Sequence, residues 1–216
     1  MSLTPKEMRN ERYGPYVAKN MNNRNFDACY VRTKKEALAE ALSRIPEGSL
    51  VSWGGSASIS QIGLKDALKA GNYQVIDRDE ATDMEDRFNR MRQALLSDVF
   101  LSSANAISED GVLINLDGLG NRVAAIAFGP KKVLIIAGMN KVVPTVEDGI
   151  ERVRSIAAPI NMMRFCNEDT KTPCAQTGRC GNCNAENTIC NQWIITKRSM
   201  TPGRIQVILV GEDLGY

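Results

Sequence analysis

Apolar and polar positions follow two rhythms along this chain, and the rhythms trade places every ten residues or so. Compact apolar runs read as short strands: Phe26 to Val31, Ser49 to Trp53, Tyr73 to Ile76, Val99 to Leu101, Gly111 to Asn115 and Lys132 to Ala137. Between them come runs at helical spacing. Thr4-Pro5-Lys6-Glu7 opens a helix with a capping box and a proline at its first position, and this helix runs to about Arg24 with a bend expected near Gly14-Pro15. Thr33-Lys34-Lys35-Glu36 repeats the box and starts a helix to Ser43, with Ala37, Leu38, Ala41 and Leu42 on its apolar face. Further helices are predicted from the Gly54 to Ser58 loop to about Ala70, stopped by Gly71, and from Asp79 to Leu96, with Met84, Phe88, Met91 and Leu95 inward. Two more run from Arg122 to Phe128 and from Thr145 to about Ala157. The methionines sit mostly at helical spacing and read as core. Strands alternating with helices in this way predict an α/β fold: a mostly parallel sheet with helices on both faces.

The rhythm stops at Asn161. Cys, Asn, Thr and Gly dominate through Asn191, after which Trp193 to Lys197 and Arg204 to Val210 read as strands around the Thr201-Pro202-Gly203 turn. The chain therefore divides into an α/β domain (1–160), a Cys-rich loop (161–192) and strands that return to the main domain (193–216). Of 216 residues, 43% are apolar and 24% charged, with a net charge of +2. A balance so near neutral gives no reason to expect nucleic acid or an anionic membrane as partner. The N-terminus lacks a basic region followed by an apolar stretch, and no window reaches the ~20 apolar residues that span a bilayer. A cytoplasmic location without membrane insertion is the expectation, and there thiols stay reduced. The chain has no histidine. That excludes a Ser-His-Asp triad, a Cys-His pair and histidine-ligated zinc, and leaves acid–base work to Asp, Glu, Lys, Tyr or Cys.

Gly54-Gly55-Ser56-Ala57-Ser58 joins a strand to a helix, where backbone N–H groups and the helix dipole favour phosphate or carboxylate. A plain tight turn with a serine cap is an equal reading of that motif alone. Ligands of open parallel sheets collect at the carboxyl ends of strands, and two more loops fall there: Ser102 to Ala106, and Asp117 to Arg122. Together they nominate Gly54, Gly55, Ser56, Ser103, Asn105, Gly120, Asn121 and Arg122 as a site for an anionic small molecule, with Arg122 as the charge and the asparagines as orienting groups. Glu109 and Asp110 read as a solvated turn rather than catalytic acids. Trp53 fits a ligand wall or the core equally well.

Five of six cysteines are spaced C-x7-C-x5-C-x2-C-x6-C from Cys166 to Cys190. Cys180-Gly181-Asn182-Cys183 is a metal-type pair with an inner glycine, flanked by Cys174 and Cys190. These four sulfurs suit tetrahedral zinc or an iron–sulfur cluster, and a metal would supply folding energy that this polar stretch lacks. Cys166 is left out as packed behind Met162 to Phe165, Trp193 is expected to pack the loop against the sheet, and Cys29 reads as core. Free thiols in a polar loop are the bland alternative.

Three segments carry a family resemblance: Gly54-Gly55-Ser56 with Ile59 and Ile62-Gly63-Leu64; Ser103 to Ile107 with Glu109 to Leu113 and Gly120-Asn121-Arg122; and Pro130 to Val133 with Gly138 and Lys141 to Thr145. In this order they resemble the lactate-utilisation (LUD) domain family over most of residues 4 to 157. The resemblance implies a fold like that of the sugar-phosphate isomerases and CoA transferases, whose glycine loops bind phosphate or CoA groups. It implies a part in oxidising lactate or a related 2-hydroxy acid, beside iron–sulfur partner subunits. The segment from Pro173 to Asn191 and the ending Val210 to Tyr216 look like an extension found in one branch, mostly from anaerobic bacteria. Two functions follow: a redox accessory or subunit with a Cys-ligated centre, or a stand-alone enzyme or sensor for a phosphorylated or CoA-type ligand with a structural metal. An interaction protein that docks through its Cys loop is a third. A homo-oligomer is compatible with either of the first two.

Overall fold

The computed structural model describes residues 3–216. In chain order its elements are α1 (Pro5–Asn22), β1 (Asp27–Val31), α2 (Lys34–Arg44), β2 (Leu50–Trp53), α3 (Ala57–Gln61), α4 (Leu64–Ala70), β3 (Gln74–Ile76), α5 (Met84–Gln93), β4 (Val99–Ser102), β5 (Ala106–Ser108), β6 (Leu113–Asp117), α6 (Asn121–Ala127), β7 (Lys132–Gly138), β8 (Val142–Val143), α7 (Val146–Arg152), α8 (Ala158–Met162), α9 (Pro173–Thr177), β9 (Gln192–Thr196) and β10 (Ile205–Val210). The capping boxes expected at Thr4 and Thr33 both form, and Thr145 makes a third with Asp148, so three helix starts are set by local side-chain chemistry.

Six strands make a wholly parallel sheet in the order β1-β10-β7-β4-β2-β3. Alternation along the central strands divides the core. Leu134, Ile136, Ile208 and Val210 face α2, α3 and α4, packing with Ala37, Ala41, Ile59 and Leu68. Val133, Ile135, Val207 and Leu209 face the other way, onto Val17 and Met21 of α1 and Ile126 of α6. This second face is covered only in part by helices. Ile107 and Leu113 complete it from a separate four-stranded sheet, β8-β5-β6-β9. That sheet is the main departure from the expected fold, because the run after Gly111 pairs with β5 and β9, both antiparallel, rather than joining the parallel sheet.

Other differences have local causes. The helix expected from the Gly54 loop to Ala70 is two, because Gly63 takes a left-handed φ of 75° that caps α4 afresh. The helix expected from Asp79 starts only after Asp83, whose carboxylate accepts the Asp86 N–H. Met84 of that helix is 62% exposed, and Met8, Met163 and Met200 are exposed too, so those four are not core. α1 runs through Pro15 as one element. The Thr145 helix continues through a π-helical turn, Val153–Ala157, into α8.

Candidate functional site

A cavity of about 300 Å³ opens over the carboxyl ends of β2, β3, β4 and β7. Gly55, Ser56, Ser103, Asn105, Asn121 and Arg122 all line it, so loops from both sheets meet where the sequence placed them. Gly54 and Gly120 stand behind the wall. Gly54 leaves room for Arg122, whose stem would lie 3.1 Å from a Cβ there, and Gly120 turns the chain into α6 with a φ of 84°.

The positive character of the cavity comes from side chains. α3 has only five residues, so its dipole adds little. Arg78, Arg87, Arg122, Lys141 and Arg164 line the cavity against one carboxylate, Asp117. Arg122 is fixed in place: its guanidinium donates to Asn105 Oδ1 at 3.0 Å and to the Leu116 carbonyl at 2.5 Å, and lies 3.7 Å from Asp117. Asn105 also accepts the Leu116 N–H at 3.0 Å, so its amide oxygen is committed to holding the wall together. Arg78 is the opposite case. Its guanidinium is packed against Gly55, within 2.7 Å of where a Cβ would stand, and its Nε is buried without a hydrogen-bond partner, the Asp79 carboxylate standing off at 3.8 Å. A buried donor with no hydrogen bond suits an anion.

Lys141 follows β7 on a short 3-10 turn and is 4% exposed. Its Nζ lies 3.1 Å from Ser58 Oγ and 3.0 Å from Ser103 Oγ. Burial first, then the charges of Arg152 and Arg122, pull its pKa down from 10.5 to about 7. The sequence reading quoted Lys141 as part of a motif but assigned it no role, and it passed over Arg78 altogether. Nothing local marks either one, since lysine and arginine read as surface residues by default.

A second, smaller cavity of about 60 Å³ is lined by Cys174, Cys180, Cys183 and Cys190. These are the four cysteines chosen from the spacing. The Asn182 N–H donates to Cys180 Sγ at 3.4 Å. Burial pushes the Cys190 thiol up, with the other three cysteines adding in the same direction. The donor set therefore fits a thiophilic metal in kind. The spacing is open: among the described residues, no three His, Cys, Asp or Glu side chains stand in an arrangement that could hold an ion. Cys166 lies elsewhere, exposed, with its thiol donating to the Met162 carbonyl at 3.4 Å, which corrects the expectation that it is buried. Leu116 and Ile189 line both cavities and are the partition between them. Trp193 borders the cysteine cavity but is 42% exposed.

The remaining candidates fall outside both cavities. Glu109 accepts the Tyr13 hydroxyl, and Asp110 pairs with Arg24. Trp53 is core, 1% exposed. Cys29 packs against the same core, its thiol pushed up to about 11 by burial. Among the described residues, no helix is long and apolar enough to cross a membrane.

A family model described as LUD domain matches residues 16–210. Among solved structures, a DUF162 family protein from Deinococcus radiodurans superposes with a TM-score of 0.53 at 14% identity, over 97% of this chain and 99% of that one. The likeness is one of fold. Ribose 5-phosphate isomerase A from Methanocaldococcus jannaschii gives a TM-score of 0.34 at 16% identity over 60% of this chain and 66% of that one, too slight to support an argument. No curated protein matches the chain.

Proposed function

The chain belongs to the lactate-utilisation (LUD) domain family, and we propose on that premise that it is a redox accessory or subunit in the oxidation of lactate or a related 2-hydroxy acid. In this reading the cation-lined cavity holds the carboxylate of the acid, with Arg78, whose Nε makes no hydrogen bond, as its partner and Arg122 as a fixed wall. Cys174, Cys180, Cys183 and Cys190 would hold the metal centre. An iron–sulfur cluster bound there would supply one-electron transfer, whereas zinc would supply only a rigid clamp.

The observation that carries the reading is the shared partition. One layer of side chains, Leu116 and Ile189, separates the four cysteines from the cavity. The test is metal and sulfide analysis of anaerobically purified protein, with its visible spectrum. Iron with acid-labile sulfide, lost in a Cys183→Ser/Cys190→Ser variant, is the expected result. Colourless protein with stoichiometric zinc overturns the redox role.

The excess of cations favours a second reading. Four arginines against one acidic side chain exceed what a single small carboxylate requires. A phosphorylated or CoA-type ligand over a structural metal would use them better. A melting-temperature rise with such ligands but none with lactate or pyruvate selects it.

A further inference from the structure

Lys141 is a buried cation position with no anion to explain it. Its hydrogen-bond partners are two serine hydroxyls, and it enters no ion pair among the described residues. A lysine kept for packing would be cheaper as an apolar residue. The two hydroxyls also meet each other, with Ser103 Oγ 3.3 Å from Ser58 Oγ. All three side chains line the cation-rich cavity.

We propose that Ser103, Ser58 and Lys141 form a nucleophilic centre for acyl transfer, acting on an ester or thioester of a small, negatively charged acid. Ser103 is the nucleophile, Lys141 its general base, and Ser58 a positioning residue that holds the amine. This activity does not rest on the redox reading above.

Both serines are buried, Ser58 at 1% and Ser103 at 4% exposed, and they differ in what covers them. A Cβ at Gly215 would stand 2.9 Å from Ser58 Oγ and 3.1 Å from Lys141 Nζ, so the 214–216 segment covers both. Ser103 is not among the atoms closest to that cover. The base is in a usable state: with a pKa near 7, a large share of Lys141 is neutral at physiological pH and has a lone pair to take a hydroxyl proton. In a chain without histidine, few side chains can do this. Burial first, then the charges of Arg152 on α7 and Arg122 on α6, hold the amine in this state, with Arg78, Arg87, Arg164 and Asp117 around the same cavity. The four lining arginines, Arg78, Arg87, Arg122 and Arg164, select an acyl donor that carries negative charge.

The step balances as follows. Ser103 Oγ bonds to the acyl carbon while its proton passes to Lys141 Nζ. The carbon–oxygen or carbon–sulfur bond to the leaving group breaks, and the leaving alcohol or thiol takes that proton. Water then attacks the acyl-serine, again giving a proton to Lys141; the bond from the acyl carbon to Ser103 Oγ breaks, Lys141 returns that proton to Oγ, and the free acid leaves.

The experiment is labelling of the full chain with a fluorophosphonate, which forms a phosphorus–oxygen bond to an activated serine and expels fluoride. The expected result is a single adduct on Ser103 by peptide mass spectrometry, absent in Ser103→Ala. Labelling by wild type should fall as pH drops below about 7, and Lys141→Arg should slow it by about 100-fold or more. Hydrolysis of a mono-4-nitrophenyl ester of succinate should follow the same pattern. No adduct, an adduct on Ser58 or elsewhere, or a rate that ignores both pH and Lys141→Arg in a variant with a native melting profile overturns the proposal. The wild-type pH profile needs no variant, so a folding defect does not protect the idea.

Discussion

The two cavities on either side of Leu116 and Ile189 are built in opposite ways. The larger rests on deeply buried strands such as β4 and β7, and its wall is held by Arg122, Asn105 and Asp117 in bonds already made. The smaller is made from a loop with one five-residue helix, and its four sulfurs converge without meeting. One site is organised by the fold before anything binds. The other, in our proposal, is organised by the metal it would bind. Burial of apolar surface is available to strands threaded through a core, and not to a polar stretch lying on the surface.

The strongest way to break the contrast is to take away the proposed metal. Structural metals in small domains contribute on the order of 10 kcal/mol. Chelation, or Cys183→Ser with Cys190→Ser, should therefore open residues 167–191 to hydrogen exchange and proteolysis while β4, β7 and β10 stay protected. Equal loss in both regions would mean the loop and the sheet stand or fall together.

A smaller effect tests how far the sheet-borne cavity is strained for function. Lys141 titrates near 7 in the folded chain and near 10.5 when unfolded. Between those values the unfolded chain holds one more proton, so stability rises with pH across that window, and below about 7 the penalty is fully present. Lys141→Met should thus be more stable than wild type at neutral pH by a few kcal/mol, with the gap closing as pH approaches 10.5. Thermal melts at several pH values read this directly; a gap independent of pH would exclude a depressed lysine.

Within the larger cavity, Arg122 and Arg78 should separate structure from binding. Arg122→Ala takes the guanidinium from the Leu116 carbonyl and Asn105 Oδ1, while Asp117 keeps the backbone N–H groups of residues 122 and 123, and should cost about 2–3 kcal/mol. Arg78→Ala should cost less than about 1 kcal/mol, since its Nε has no hydrogen bond to lose, yet abolish any melting-temperature rise caused by an anionic ligand. The smallest effect belongs to Cys166→Ser, which should stay within about 0.5 kcal/mol of wild type and leave metal content unchanged.

Much of this was legible from the residues, for reasons that differ by element. The Thr4 and Thr33 boxes are written in four consecutive positions, so local chemistry suffices. The parallel sheet follows from alternation, and the Gly54 and Ser103 loops follow from its carboxyl edge, whereas the Asp117 to Arg122 loop leaves β6 of the second sheet. The second sheet was not legible, because the apolar run at Leu113 does not say which neighbour it pairs with. Lys141 escaped for a related reason: its burial is decided by β7, the serine loops and Gly215 converging from distant parts of the chain. The breaks at Gly63 and Asp83 were signalled by a glycine and a cap, but continuous helical spacing outweighed them in the reading.

The place of β10 has a consequence for how the molecule is made. It sits between β1 and β7, pairing Asp27 with Gln206 and Val133 with Ile205. Until residues 205–210 have left the ribosome, β1 has no sheet neighbour and β7 presents an open edge. At about 5–20 residues per second, the nascent chain spends seconds in that state, with the cysteine loop already emerged. Contacts across so long a span close slowly, so the centre of the sheet is among the last parts of the fold to be completed.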